Sequence, residues 1–115
     1  MLLSRKRLNC NWDIPYSVVN IVHSICVDYD RRAQVISNAA APLSSVESQY
    51  IQLNQAVDQA LAGVEIAIRR TMLDDIQKRR GYDFSPASPF ISKNTYYVRK
   101  RKVIHDIAKF LNLIA

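Results

Sequence analysis

Glycine occurs only twice in the 115 residues and proline four times. That leaves little material for the tight turns that join strands, so a chain of β-hairpins is disfavoured and a mostly helical one expected. Cys10 and Cys26 are the only thiols. They show no metal-type spacing, and two free cysteines in a reducing compartment are the expectation. No apolar run approaches the roughly twenty residues of a membrane span, so no membrane role is expected. The opening MLLSRKRLNCNW has no apolar stretch after its charges, and it is not read as a secretory signal.

Residues that carry chemistry are equally thin. His23 and His105 are the only histidines; they stand far apart and have no metal-ligand companions. His23 is expected at the edge of the core and His105 on the surface. Two glycines cannot build a phosphate-cradling loop. Asp74-Asp75 reads as an acidic pair on a helix surface, matched at helical spacing by Arg70, Lys78 or Arg79. No catalytic constellation emerges, so no enzyme activity, cofactor or metal is expected.

What is present is an ordinary globular composition, 49% hydrophobic and 23% charged, at the length of one domain. The net charge is +6, and its distribution says more than its total. Residues 1–12 carry Arg5, Lys6 and Arg7, a net +3, whereas residues 13–77 set four arginines against eight carboxylates, a net −4. Residues 78–91 return to +2 and residues 92–115 reach +5. This reads as a scaffold with basic ends rather than a uniformly sticky surface, and the basic run of the last helix is either a solvated face or a surface that meets something anionic.

Asp13-Ile14-Pro15 suits the start of a helix, with Asp as cap and Pro in the first turn. Val18, Val22, Ile25, Tyr29, Ala33 and Ile36 then recur every three or four residues, predicting one helix from 13 to about Ala40. Ser44 and Glu47 form a capping box in front of a second helical run. Gly63 predicts a break in it. A third run from about Glu65 carries Ile68, Met72, Leu73 and Ile76, and is expected to end at Arg80 with Gly81 in the usual glycine position after a helix. Pro86 and Pro89 exclude a continuous helix over 82–91, although Tyr82, Phe84 and Phe90 are candidates to pin that stretch to the core.

Ser92 caps the last helix, predicted to about Leu113. The expected core is Val18, Val22, Ile25, Tyr29, Ile36, Tyr50, Leu53, Val57, Leu61, Ile68, Met72, Ile76, Ile104, Ile107 and Leu111. The fold class is all-α. Its expected parts are a basic, flexible N-terminus (1–12), a helical scaffold (13–80), a proline-containing linker (81–91) and a C-terminal recognition helix (92–115).

On a helical wheel, Tyr96, Val103, Ile104, Ile107, Phe110 and Leu111 gather on one side of that last helix. Its first half is rich instead in Lys, Arg, Asn, Thr and Tyr. Lys100 falls inside the apolar arc, which implies that the arc is open to solvent or a partner there. A helix whose N-terminal turns are polar and whose C-terminal turns are anchored suits insertion into the major groove of DNA. Lys93, Asn94, Tyr97 and Arg101 are the candidates for base edges. Arg99, Lys100 and Lys102 are those for phosphate, with Thr95, Arg79 and Arg80 adding to the surface.

The spelling Ser92-Lys93-Asn94-Thr95-Tyr96-Tyr97, then Arg99 to Lys102, Val103 and Ile107-Ala108, resembles the last helix of phage late-gene transcriptional regulators of the ArpU/RinA type. The resemblance covers about a fifth of the chain. It implies a sigma-region-4-like, helix-turn-helix-type DNA contact, with Thr95 and Tyr96 seating the helix. It also implies transcriptional regulation in the cytoplasm of a bacterial host, with duplex DNA and RNA polymerase as partners. Ten residues with two prolines replace the short turn of a compact helix-turn-helix. Either Ala87–Phe90 makes a short helical turn or the motif is an extended variant.

A single short recognition helix contacts few base pairs, so a homodimer is expected, with the stripe of the first helix as a candidate seam and equally a candidate core. Two alternatives share the composition. One is a packaging or assembly adaptor that touches DNA without reading it. The other is a module that binds an acidic protein partner.

Overall fold

Ser44 behaves as its motif dictates. In the computed structural model, which describes residues 14–115, its hydroxyl accepts from the Glu47 amide at 3.0 Å and the Glu47 carboxylate accepts from the Ser44 amide at 2.9 Å. This capping box starts the longest scaffold helix. The order is α1 (Tyr16–Val27), α2 (Tyr29–Ser37), α3 (Ser45–Leu61), α4 (Ile66–Gln77) and α5 (Lys93–Phe110), with 3₁₀ turns at Tyr82–Phe84 and Ser88–Phe90 between the last two. No strand occurs among the described residues, and the all-α class holds. The basic segment 1–12 and the Asp13 cap lie outside the described residues; Pro15 stands at the N-cap of α1.

The predicted first helix is two helices. At Asp28 the chain departs from helical geometry (φ −94°, ψ 6°). The Ile25 carbonyl takes the guanidinium of buried Arg32 at 2.5 Å. Arg32 also donates to Asn54 Oδ1 at 2.8 Å, and Asn54 donates to the Tyr29 carbonyl at 3.2 Å. The break is therefore stitched to α3 by side chains that satisfy backbone acceptors. It leaves the apolar stripe in phase, so Val18, Val22, Ile25 and Tyr29 still face one core. That first half of the stripe is spent inside the chain, whereas Ala33 and Ile36 lie outside this core.

The break expected at Gly63 lies between α3 and α4. The end of α4 departs from expectation. The helix stops at Gln77, and Arg79, not glycine, takes the left-handed position (φ 53°). Arg79 N–H reaches the Ile76 carbonyl and Arg80 N–H the Asp75 carbonyl, the paired bonds of a Schellman motif. Gly81 is extended (φ −90°, ψ 177°) and serves a different need. A Cβ there would lie 3.1 Å from the Tyr97 hydroxyl.

α5 lies against α3 and α1, while α2 packs on α3 and α1 on α4. The core holds Val22, Val57, Leu61, Ile68, Met72, Ile76 and Ile107 as predicted. Val18, Ile25, Tyr29, Ile104 and Leu111 are partly buried against it. Ile36, Tyr50 and Leu53 are only half-buried; Tyr50 lies beneath Arg31, whose guanidinium sits 5.2 Å from the ring centre. Tyr96, Leu73, Val64, Val103 and the small residues Cys26, Ala56, Ala60, Ala87 and Ala108 complete the interior. Tyr82 is packed there too, but Phe84 and Phe90 are 82% and 75% exposed. They do not pin the linker, because each sits on a 3₁₀ turn that points its ring outward.

Candidate nucleic-acid interface

The last helix is seated by its first turns as well as its last ones. Ser92 Oγ accepts from the Thr95 amide at 3.3 Å and donates to Thr95 Oγ1 at 2.9 Å. One residue on, Tyr96 is fully buried and donates to Asp75 Oδ2 at 2.7 Å. Asp75 is also fully buried, which corrects its reading as a surface acid. Arg80 Nε donates to its other oxygen at 2.6 Å, and Arg80 reaches Asp74 at 2.9 Å. Burial and this carboxylate together push the Tyr96 hydroxyl well above the ordinary tyrosine range. Arg80 and Lys78 hold the Asp74 carboxyl below the usual carboxylate range.

Two residues expected to meet DNA turn inward instead. Lys100 Nζ donates to the Arg80 carbonyl at 2.6 Å and lies 5.5 Å from the centre of the Tyr96 ring. The ammonium caps the turn after α4, and its burial lowers the Lys100 pKa; the arc stays partly open here, since Lys100 and Ile104 line a cleft. Tyr97 packs edge-on against Tyr96, with ring centres 5.1 Å apart. Its hydroxyl accepts from the Tyr82 amide at 3.1 Å. Arg80 belongs to the same internal network. These three build the seat, because a helix this basic can be buried on one side only if its cations find acceptors there.

Other cations are outward but partnered. Arg99 makes a two-pronged pair with Glu65 at 3.0 and 3.3 Å, and it draws the Glu65 pKa down. Lys102 reaches Asp106 one turn along at 2.6 Å. Lys93 is only loosely opposed by Asp83, at 3.9 Å, with both side chains well exposed. Arg79 lies against His23 Nδ1 at 3.0 Å and Asn20 at 3.5 Å. Thr95 is held by the Ser92 cap.

Asn94 and Arg101 remain. Both are exposed and make no hydrogen bond or ion pair among the described residues. With Val98 between them they recur at spacings of four and three along one stripe of α5, spanning about 10 Å. Lys93 and Lys102 flank that stripe. The helical wheel puts Val98 on the polar side of the last helix but does not name it a contact; its spacing of four from Asn94 and three from Arg101 was the available signal. A three-residue 3₁₀ turn (Ser88–Phe90), followed only by Ile91 and Ser92, leads into α5, so a short helical turn does form within 87–90.

The chain matches no protein-family model, no curated protein and no solved structure in comparisons with each. The fold therefore defines the class on its own terms: an all-α domain that holds one basic helix by a buried tyrosine–aspartate–arginine network. No helix among the described residues is long and apolar enough to cross a membrane.

Proposed function

We propose that this protein is a sequence-specific DNA-binding transcriptional regulator, of the phage late-gene kind that Ser92–Ala108 resembles. The observation that carries the proposal is the division of α5 into two faces. One face is fixed by Tyr96, Lys100 and Ile107. The other presents Asn94, Val98 and Arg101 without internal partners. Asn pairs in two-pronged fashion with adenine and Arg with guanine, while a valine methyl suits the methyl of thymine. The first turn adds free backbone N–H groups toward phosphate.

The internal pairing of Arg99 and Lys102 favours reading over mere clamping. A non-specific clamp gains affinity by releasing counterions through unpaired cations, and here two members of the basic run are already neutralised. RNA polymerase and a second copy of the chain are partners in the same proposal, since one helix covers few base pairs. Selection of bound sequences from a random duplex pool tests it. The expected outcome is a short enriched motif, doubled if the chain binds as a dimer; recovery of unenriched DNA favours the packaging-adaptor reading.

A further inference from the structure

Thirteen lysines and arginines lie among the described residues, and eight of them have a carboxylate within 4 Å. Arg69 is spent on the Val64 and Ala62 carbonyls. Of the four others, Arg101 and Lys109 sit in the open on α5, whereas Arg79 and Lys100 line one cleft of about 210 Å³ together with His23. No acidic side chain lines it.

The donors there are not used up. The Lys100 ammonium carries three N–H groups, of which the Arg80 carbonyl takes one. Arg79 uses a single terminal nitrogen on His23 and Asn20, and its remaining N–H groups have no partner among the described residues. Because a guanidinium only donates, His23 Nδ1 is the acceptor, and Nε2–H then donates to the Gln77 carbonyl at 3.3 Å. The Gly81 amide, also on the cleft, makes no hydrogen bond among the described residues. Arg79 moreover stands at a left-handed position (φ 53°), where a side chain with a Cβ is costly and glycine or asparagine is usual. The end of α5 follows that usage, with Asn112 at φ 59°. A strained backbone position of this kind, beside the cleft, marks the turn as a candidate for function.

Val19, Ile76 and Ile104 supply an aliphatic wall to the same cleft. We infer that it binds a phosphate group whose attached carbon skeleton rests on that wall. Donors approach from α5, from the guanidinium and from the backbone, so an oxyanion with three or more oxygens meets them better than a two-oxygen carboxylate. Two sources offer this chemistry: a backbone phosphate of bound duplex, or a free organic phosphate. The free-ligand arm does not depend on the proposed DNA binding.

The test is a titration of the full-length, isotope-labelled chain with phenyl phosphate and with inorganic phosphate. Ionic strength is held constant with chloride, and the Gly81 amide and His23 ring signals are followed by NMR. Saturable shifts are expected, tighter for phenyl phosphate, and weakened about tenfold or more in Arg79→Asn by loss of a charge-assisted bond. Asparagine suits the backbone there, so that variant keeps the fold; Lys100→Met should behave alike. Duplex DNA is the second arm. Shifts of the same signals that are lost in Arg79→Asn and compete with phenyl phosphate identify a backbone phosphate; undisturbed binding of phenyl phosphate beside the duplex identifies a free ligand. The inference is overturned if no phosphate source moves these signals saturably, or if Arg79→Asn responds as the parent does. DNA affinity itself, measured separately, decides the other proposal.

Discussion

Replacing Asp75 by alanine tests how α5 is held. The parent carboxylate is fully buried and accepts from Arg80 Nε at 2.6 Å and Tyr96 at 2.7 Å. Removing one side of a buried ionic contact costs about 3–5 kcal/mol, because the partners left behind stay desolvated. Arg80 keeps Asp74 at 2.9 Å, so the lower half of that range is expected. Tyr96→Phe deletes only the hydroxyl and should cost about 1.5–3 kcal/mol, the worth of a hydrogen bond to a charged group. In the double variant the shared bond is lost once, so the combined cost should fall short of additivity by about 1–2 kcal/mol. Urea unfolding followed by circular dichroism measures all three. For a domain of this size each kcal/mol lowers Tm by roughly 4–8 °C, so thermal scans should show Asp75→Ala more than about 10 °C below the parent. The reasoning is refuted if Asp75→Ala costs less than about 1 kcal/mol, or if the two substitutions add fully, since either result would make Asp75 an ordinary surface acid.

Asp106→Asn should release Lys102 from its 2.6 Å pair. Binding to every duplex should tighten and the salt slope steepen by about one unit, as read by titrations at several salt concentrations. Ser44→Ala removes one half of the capping box and should cost about 1 kcal/mol in the same urea assay. Burial pushes the Cys26 thiol from 9.0 up to about 12, and burial with Asp58 pushes the Tyr29 hydroxyl from 10.0 to about 12. The folded state therefore holds protons that the unfolded chain has lost. This contribution is complete below pH 9 and declines as pH rises through the interval from 9 to 12, by up to about 1.4 kcal/mol per pH unit for a fully titrating group. The lowered Lys100 pKa acts in the opposite direction over the alkaline range. Urea midpoints between pH 8 and 11 should fall, and Cys26→Ala should remove the part of the decline that begins near pH 9.

Local signals read well because their partners are close in sequence. Ser44 and Glu47, the helix-breaking Gly63, and Ser92 in front of Thr95 each depend on groups within a few residues. Tyr96 and Ile107 were legible for a different reason: their spacing puts them on one side of α5, whereas the seating role of Tyr96 and the pair Ile107-Ala108 came only from the resemblance. The break at Asp28 was not legible, since it is stabilised through Arg32 by Asn54, a residue on another helix. Asp75 misled because its neighbour Asp74 is a surface acid. Yet it stands three residues after Met72 and seven after Ile68, on the apolar stripe of α4, and that was the missed warning. Lys100 gave a similar warning inside the apolar arc of α5. Its resolution, a carbonyl of Arg80, depends on tertiary approach that no spacing encodes. Arg79 took the turn position expected of Gly81, while the space above that glycine is claimed by the Tyr97 hydroxyl.

The most direct test of the account compares Asn94→Ala and Arg101→Ala with Lys102→Ala on a selected duplex and on its scrambled counterpart. The first two residues face outward without partners, and each substitution should cost about 1–3 kcal/mol on the selected duplex and little on the scrambled one. Lys102→Ala should weaken both duplexes equally and only slightly, because Asp106 already neutralises that lysine. Equal losses on both duplexes for all three variants would show α5 to be an electrostatic clamp, and no loss for any of them would leave its outer face without a role in DNA binding.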